Sequence, residues 1–180
     1  MKIEAPNKRM KELQALPLER KVGFTIARIT EWNIYYKENI CILFSPDKVS
    51  IVLLYISRKL YPEISCVYFD LGMDDSKIID YAKSNNIEII KSETDFKEDS
   101  YDLVWKERKR LYKIYQKETG KYPILGTKTE DSKYLKSLWL KNGCNMFDGR
   151  DQECRPISFW QEKDVDEFIK IKNIDLGGME

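Results

Sequence analysis

The densest chemistry in the chain lies in a short corner, Ser45-Pro46-Asp47-Lys48-Val49-Ser50. It joins an apolar run, Ile40-Cys41-Ile42-Leu43-Phe44, to a second apolar stretch from Val49 to Leu60. A buried strand feeding directly into a buried helix leaves free N–H groups at the junction, and such a junction is where a phosphate is held. Ser45, Lys48 and Ser50 supply hydroxyls and a cation for that purpose. The same letters also spell a plain helix start. Ser45 suits the N-cap, Pro46 the first helical position, and Asp47 is an anion in the first turn. Both readings stay open on the sequence.

What is missing bounds the chemistry further. The chain has no histidine, so the usual general base at neutral pH is absent, and catalysis would fall to carboxylates, lysine, cysteine or a metal. The four cysteines, Cys41, Cys66, Cys144 and Cys154, show no Cys-x-x-Cys spacing. Cys41 and Cys66 fall in predicted strands as small core residues, while Cys144 and Cys154 fall in a loop region where they can approach each other. A zinc site would need all-cysteine or carboxylate ligation and is not expected.

The elements that position these groups follow from periodicity. The 180 residues suit one domain, 1–180, with an arm over 1–7 and a short helix from Lys8 to Leu16. From Pro17 a longer helix carries Leu18, Val22, Ile26, Ile29, Trp32 and Tyr36 at three- and four-residue spacing. Short β-rich runs predict strands at Ile40–Phe44, Ser65–Leu71, Ile87–Ile90 and Tyr122–Leu125. Between them lie helices over Val49–Leu60 and Ser76–Ser84, a polar connection over Lys91–Ser100, and a charged helix over Tyr101–Thr119 ended by Gly120. A last helix is expected over Glu162–Ile171. Strands alternating with helices point to an α/β fold with a mostly parallel sheet. A net charge of +1 gives no global case for nucleic acid binding. No stretch has the length of a membrane span, and a cytoplasmic location is expected.

The charged helix is the other conspicuous stretch. Lys106, Arg108, Lys109, Arg110, Lys113 and Lys117 interleave with Trp105, Tyr112 and Tyr115. Such a face binds nucleic acid or an acidic protein surface, or is simply a solvated face with its aromatics turned inward. Trp105, Arg108, Arg110 and Tyr115 are the candidate partner-binding residues.

The corner also resembles the pyrophosphate-binding loop of the phosphoadenosine phosphosulfate (PAPS) reductase family, Ser-Gly-Gly-Lys-Asp-Ser. Ser45, Lys48 and Ser50 match, while Pro46, Asp47 and Val49 replace the two glycines and the aspartate. Glycines let the backbone approach phosphates and aim N–H groups at them, but Pro46 has no N–H to give and Asp47 puts a carboxylate where a phosphate belongs. Asp47 would then supply from within the chain the charge that a nucleotide brings. The resemblance continues from Leu13 to about Ile174. It includes Leu13-Gln14-Ala15-Leu16-Pro17-Leu18-Glu19, the second signature Gly126-Thr127-Lys128-Thr129-Glu130-Asp131-Ser132 followed by Lys133, the Gly143-Cys144-Asn145 segment, and Pro156-Ile157-Ser158-Phe159-Trp160. It implies a three-layer, Rossmann-like sheet of the adenine-nucleotide α-hydrolase-like (PP-loop) group, order 3-2-1-4 plus an edge strand. It also implies nucleotide contacts at Ser45, Lys48, Ser50, Asp70, Glu130, Ser132 and Lys133. Asp70 ends the second strand beside the corner; its other reading is a turn carboxylate capping the next helix. Lys133 stands where the family commonly has arginine, and a lysine cannot make the bidentate phosphate contact.

Three functions are compatible with these features. The first is a degenerate PAPS-reductase-like protein without catalysis that binds another macromolecule, as a trimmed phage or mobile-element copy binding a host factor would. The damaged loop, a short connection after the third strand, and the absence of the Glu-Cys-Gly-x-His type segment of the reductases all favour it. The second is a sensor that binds an adenine nucleotide, ATP or PAPS with magnesium. The third is an active sulfotransferase-like enzyme or pyrophosphatase using that nucleotide. No cofactor is required by the first.

Overall fold

The computed structural model describes residues 4–73, 75–94, 101–149 and 151–179. The chain runs α1 (Glu4–Gln14), α2 (Leu18–Tyr35), β1 (Ile40–Leu43), α3 (Lys48–Leu60), β2 (Ser65–Asp70), α4 (Ser76–Ser84), β3 (Glu88–Lys91), α5 (Tyr101–Thr119), β4 (Tyr122–Leu125), α6 (Lys133–Asn142), β5 (Asn145–Met146), β6 (Glu153–Cys154) and α7 (Glu162–Lys172). The expected strands and long helices are all present, within a residue or two at their ends. The N-terminal region differs. Helix α1 begins at Glu4, so most of the expected arm is helical, because a proline such as Pro6 is tolerated in a first helical turn. Part of the polar connection expected over Lys91–Ser100 lies outside the described residues.

The strands form one six-stranded sheet in the order β3-β2-β1-β4-β6-β5. All neighbouring pairs are parallel except β5 with β6, which is antiparallel. This contains the expected order 3-2-1-4 and extends it by two short strands rather than one. The chain steps outward from β1 to β2 to β3, then returns through α5 to β4 on the far side of β1. Right-handed crossovers therefore put α3 and α4 on one face and α5 on the other.

The strand side chains alternate accordingly. Ile40, Ile42, Cys66, Tyr68, Ile124 and Cys154 join the larger core, with α2 (Ile29, Trp32), α3 (Ile51–Leu54), α4 (Ala82) and α7 (Val165, Phe168). Cys41, Val67 and Phe69 point the opposite way, onto Leu111 and Tyr115 of α5. One helix thus packs on these strands from one side and several from the other.

Two contacts fix the larger layer. The Lys21 ammonium on α2, only 1 % exposed, meets Asp164 of α7 at 2.6 Å. Asp164 also accepts from the Gln161 N–H at 2.7 Å, in a capping box that starts α7. One turn along α2, the Thr25 hydroxyl donates to the Pro156 carbonyl at 3.1 Å and accepts from the Trp160 indole N–H at 3.0 Å. The second contact is steric. Gly126, just after β4, lies so close to the N-terminus of α3 that a Cβ there would stand 2.8 Å from Ser50 Cα. Neither backbone can yield cheaply, so Gly126→Ala is expected to destabilise the fold by roughly 1–3 kcal/mol through overpacking. Urea unfolding measures this, and a midpoint equal to that of the native chain would show that β4 and α3 are not held at this spacing.

Candidate functional site

The chain order reverses between β1 and β4, and the carboxyl ends of neighbouring strands at such a switch point border the crevice where α/β sheets hold ligands. The loop 44–47 leaves β1 there, and the loop 126–132 leaves β4. Gly126 brings the two loops into contact.

The cap of helix α3 lies two residues later than Ser45, the cap that the sequence suggests. Its N-cap is Asp47, not Ser45: the backbone at Asp47 is extended, and Oδ1 accepts from the Ser50 N–H at 2.8 Å. Pro46 consequently lies outside the helix, and as a proline it keeps Ser45 before it out of the helical region. Ser45 is tied back through its own N–H, which donates to Ser50 Oγ at 3.3 Å, while the Asp47 N–H donates to the Ser45 carbonyl at 2.8 Å. Aspartate caps as well as serine does, so the sequence rule had two acceptable caps and tertiary packing chose between them. Burial pushes the Asp47 carboxyl up to about 6, against the N–H groups of Ser50 and Val49 and the charge of Lys128, with Asp131 adding to the rise.

The two lysines of the site are engaged within the chain. Lys48 Nζ lies 2.5 Å from Glu162 Oε1 and 2.7 Å from Asp166 Oδ1, both in the first turns of α7. Its ammonium is thereby held above its usual range, Asp166 contributing most. Lys128, a buried residue of the second loop, pairs with the other Glu162 oxygen and lies 3.8 Å from Asp131 Oδ1. These lysines hold the Glu162 carboxyl below its usual range, Lys128 most strongly. Glu130 joins the same edge by accepting from the Glu162 N–H and the Gln161 amide, each at 3.4 Å. Asp47, Glu130, Asp131, Glu162 and Asp166 therefore outnumber Lys48 and Lys128, and the edge is net negative.

The remaining nominated residues serve local geometry. Ser50 is fully buried, as the partner of Ser45 and Asp47. Asp70 accepts from the Gly72 N–H at 2.8 Å, so it closes the turn after β2, while Asp75 caps α4 by accepting from the Lys77 N–H. Ser132 caps α6 by accepting from the Leu135 N–H at 3.1 Å. Lys133 is exposed at the start of α6. No group of three or more cysteines, aspartates or glutamates is placed to hold a metal among the described residues. All four cysteines are free and buried, and Cys154 sits in β6 rather than in a loop. The C-terminal segment closes on the same layer. Gly177 packs against the Tyr81 ring, which stacks on Phe44 at 5.9 Å, and Met179 is buried in the larger core.

The four partner-binding candidates on α5 separate. Trp105 is 51 % exposed. Arg110 grips Glu107 with two bonds of 2.7 Å, which holds that carboxyl down to about 2. Arg108 is half-buried. Tyr115 is a correction: at 3 % exposure it packs edge-on against Phe69 beneath the helix and presents nothing to a partner. Sequence reasoning missed Lys128, Glu162 and Asp166. The available signal was the four-residue spacing of Glu162 and Asp166, which puts both carboxylates on one helix face. A separate cavity of about 610 Å³, lined by Arg9, Phe24, Arg28, Trp139 and Phe147 among others, shares no residue with this edge.

No protein-family model matches the chain, and no curated protein matches it.

The shifted Asp47 makes a pH prediction. A carboxyl whose folded pKa lies above its unfolded value binds more protons in the native state, so it withdraws stability as pH rises from about 4 through about 6. An asparagine at this position would keep the cap without the charge. Asp47→Asn should therefore flatten this fall and be relatively more stable at neutral pH, read as the difference in urea midpoints across that window. An unchanged pH profile would mean that Asp47 is not desolvated.

Proposed function

We propose that this chain is a degenerate PAPS-reductase-like protein of the adenine-nucleotide α-hydrolase-like group, without catalysis, that acts by binding another macromolecule. The observation that carries this reading is the state of Lys48. The one cation of the phosphate corner is bound by two carboxylates of α7, and a third, Asp47, caps the helix that would otherwise face a phosphate. An incoming nucleotide would have to displace Glu162 and Asp166 and enter a net-negative edge, where like charges repel it. The family reading itself rests on the motif order and is supported by the sheet order β3-β2-β1-β4.

Calorimetric titration with ATP and with PAPS, magnesium present, tests the proposal. The native chain is expected to show no saturable binding. The combination Pro46→Gly, Asp47→Gly, Val49→Asp, with Glu162→Gln and Asp166→Asn to release Lys48, is expected to recover it. Micromolar binding by the native chain, lost in Lys48→Ala, would overturn the proposal and return the corner to nucleotide chemistry.

A further inference from the structure

Helix α5 has an outward face that its packing does not use. Leu111 and Tyr115 are buried inward, while Leu103, Lys106, Arg110, Lys113, Ile114 and Lys117 are exposed. At the rise of an α-helix the cations from Lys106 to Lys117 form a row about 16 Å long. Arg110 in that row is neutralised by Glu107. Lys106, Lys113 and Lys117 have no ion pair among the described residues. Trp105 stands on the flank of the row, half exposed, with Lys109 Nζ at 5.1 Å from its ring centroid and anchored to Asp151 at 2.8 Å.

The charge is polarised across the molecule. Residues 101–119 hold six Lys and Arg against three Asp and Glu, a net of +3, in a chain whose total is +1. The remainder is therefore net negative, as is the edge at the corner. An anionic polymer is drawn to α5 and repelled from the corner.

The types of side chain narrow the polymer. Within the row the unpaired cations are all lysines, which protein interfaces disfavour but which serve well as point charges for phosphates. The row's one arginine, Arg110, a type that protein interfaces favour, is already spent on Glu107, and Arg108 lies half-buried outside the row. An exposed indole beside a row of cations is the combination that stacks an unpaired base while the backbone follows the charges. Resting on the reading of this chain as a macromolecule-binding protein, we propose that the outward face of α5 binds single-stranded nucleic acid, phosphates along Lys106, Lys113 and Lys117 and a base on Trp105.

Fluorescence anisotropy of labelled oligo-dT and oligo-U with the full chain tests this, with polyglutamate as an acidic polymer lacking bases. Both oligonucleotides are expected to bind, with a log–log salt slope of roughly −2 for three neutralised phosphates on a single strand. Trp105→Ala should weaken binding roughly tenfold with the salt slope unchanged. Lys106→Gln with Lys113→Gln and Lys117→Gln should remove most of the slope. Trp32, Trp139 and Trp160 are buried, so quenching of tryptophan emission by the oligonucleotide should report Trp105 and vanish in Trp105→Phe. Lys48→Ala should bind as the native chain does. Absence of oligonucleotide binding at low salt would overturn the inference and leave the mononucleotide result untouched. Polyglutamate binding as tight as oligo-dT would also overturn it and point to an acidic protein. Loss of binding in Lys48→Ala would move the site to the corner and overturn the assignment to α5.

Discussion

The acidic first turn of α7, set against three lysines, organises much of this molecule. Asp164 reaches Lys21 of α2, Glu162 reaches Lys48 of α3 and Lys128 of the loop after β4, and Asp166 reaches Lys48 again. The three lysines come from distant parts of the sequence, and one helix end gathers them. The contributions differ in kind. Lys21 and Asp164 are desolvated, so loss of one partner would strand a buried charge at a cost of about 3–5 kcal/mol. The pairs at Lys48 are more exposed and are worth little to stability. Their consequence is occupancy: they take two of the three N–H donors of the Lys48 ammonium and neutralise its charge.

The same turn explains how a helix start can look like a phosphate loop without the features of one. A strand-to-helix junction at a topological switch point always presents free N–H groups. They are satisfied either by a bound anion or by a side chain. Here Asp47 and Ser50 close the ring of hydrogen bonds from inside, and the carboxylates of α7 complete the charge balance around Lys48. The raised Asp47 carboxyl records the cost of placing one more anion on a crowded, partly buried edge.

Charge is distributed by topology as well. The return crossover through α5 is the connection that changes face, so the basic helix packs on the opposite side of the sheet from α3, α4 and α7. Its cations therefore do not compensate the acidic edge, although the chain is almost neutral in total. Near-neutrality in composition conceals a basic helix on one face and an acidic edge at the carboxyl ends of the strands. This separation is why net charge alone gave no case for a polyanion, whereas the placement of α5 gives one.

The sequence by itself determined the elements and their order. Apolar runs too short for anything but buried strands, helical periods between them and glycine at Gly120 led to an α/β fold with a mostly parallel sheet, while the order 3-2-1-4, which the structure contains, was implied by the family resemblance alone. These are local signals, legible because burial and backbone propensity act within a few residues. The candidate site was legible only in part. Ser45, Asp47, Lys48 and Ser50 were visible as a cluster, but whether Ser45 or Asp47 caps α3 was not, since both side chains satisfy the same local rule. Asp70 and Ser132 were visible as polar groups at strand and helix ends, and only the fold showed which N–H each accepts. The Lys21–Asp164 pair spans 143 residues, and the Lys48–Asp166 pair 118, and no local pattern encodes either. Tyr115 and Trp105 look alike in the sequence of α5; the sheet beneath decided that one is core and the other surface. Tertiary structure decided partners and exposure because charge pairing depends on distance in space, and the sequence supplies only distance along the chain.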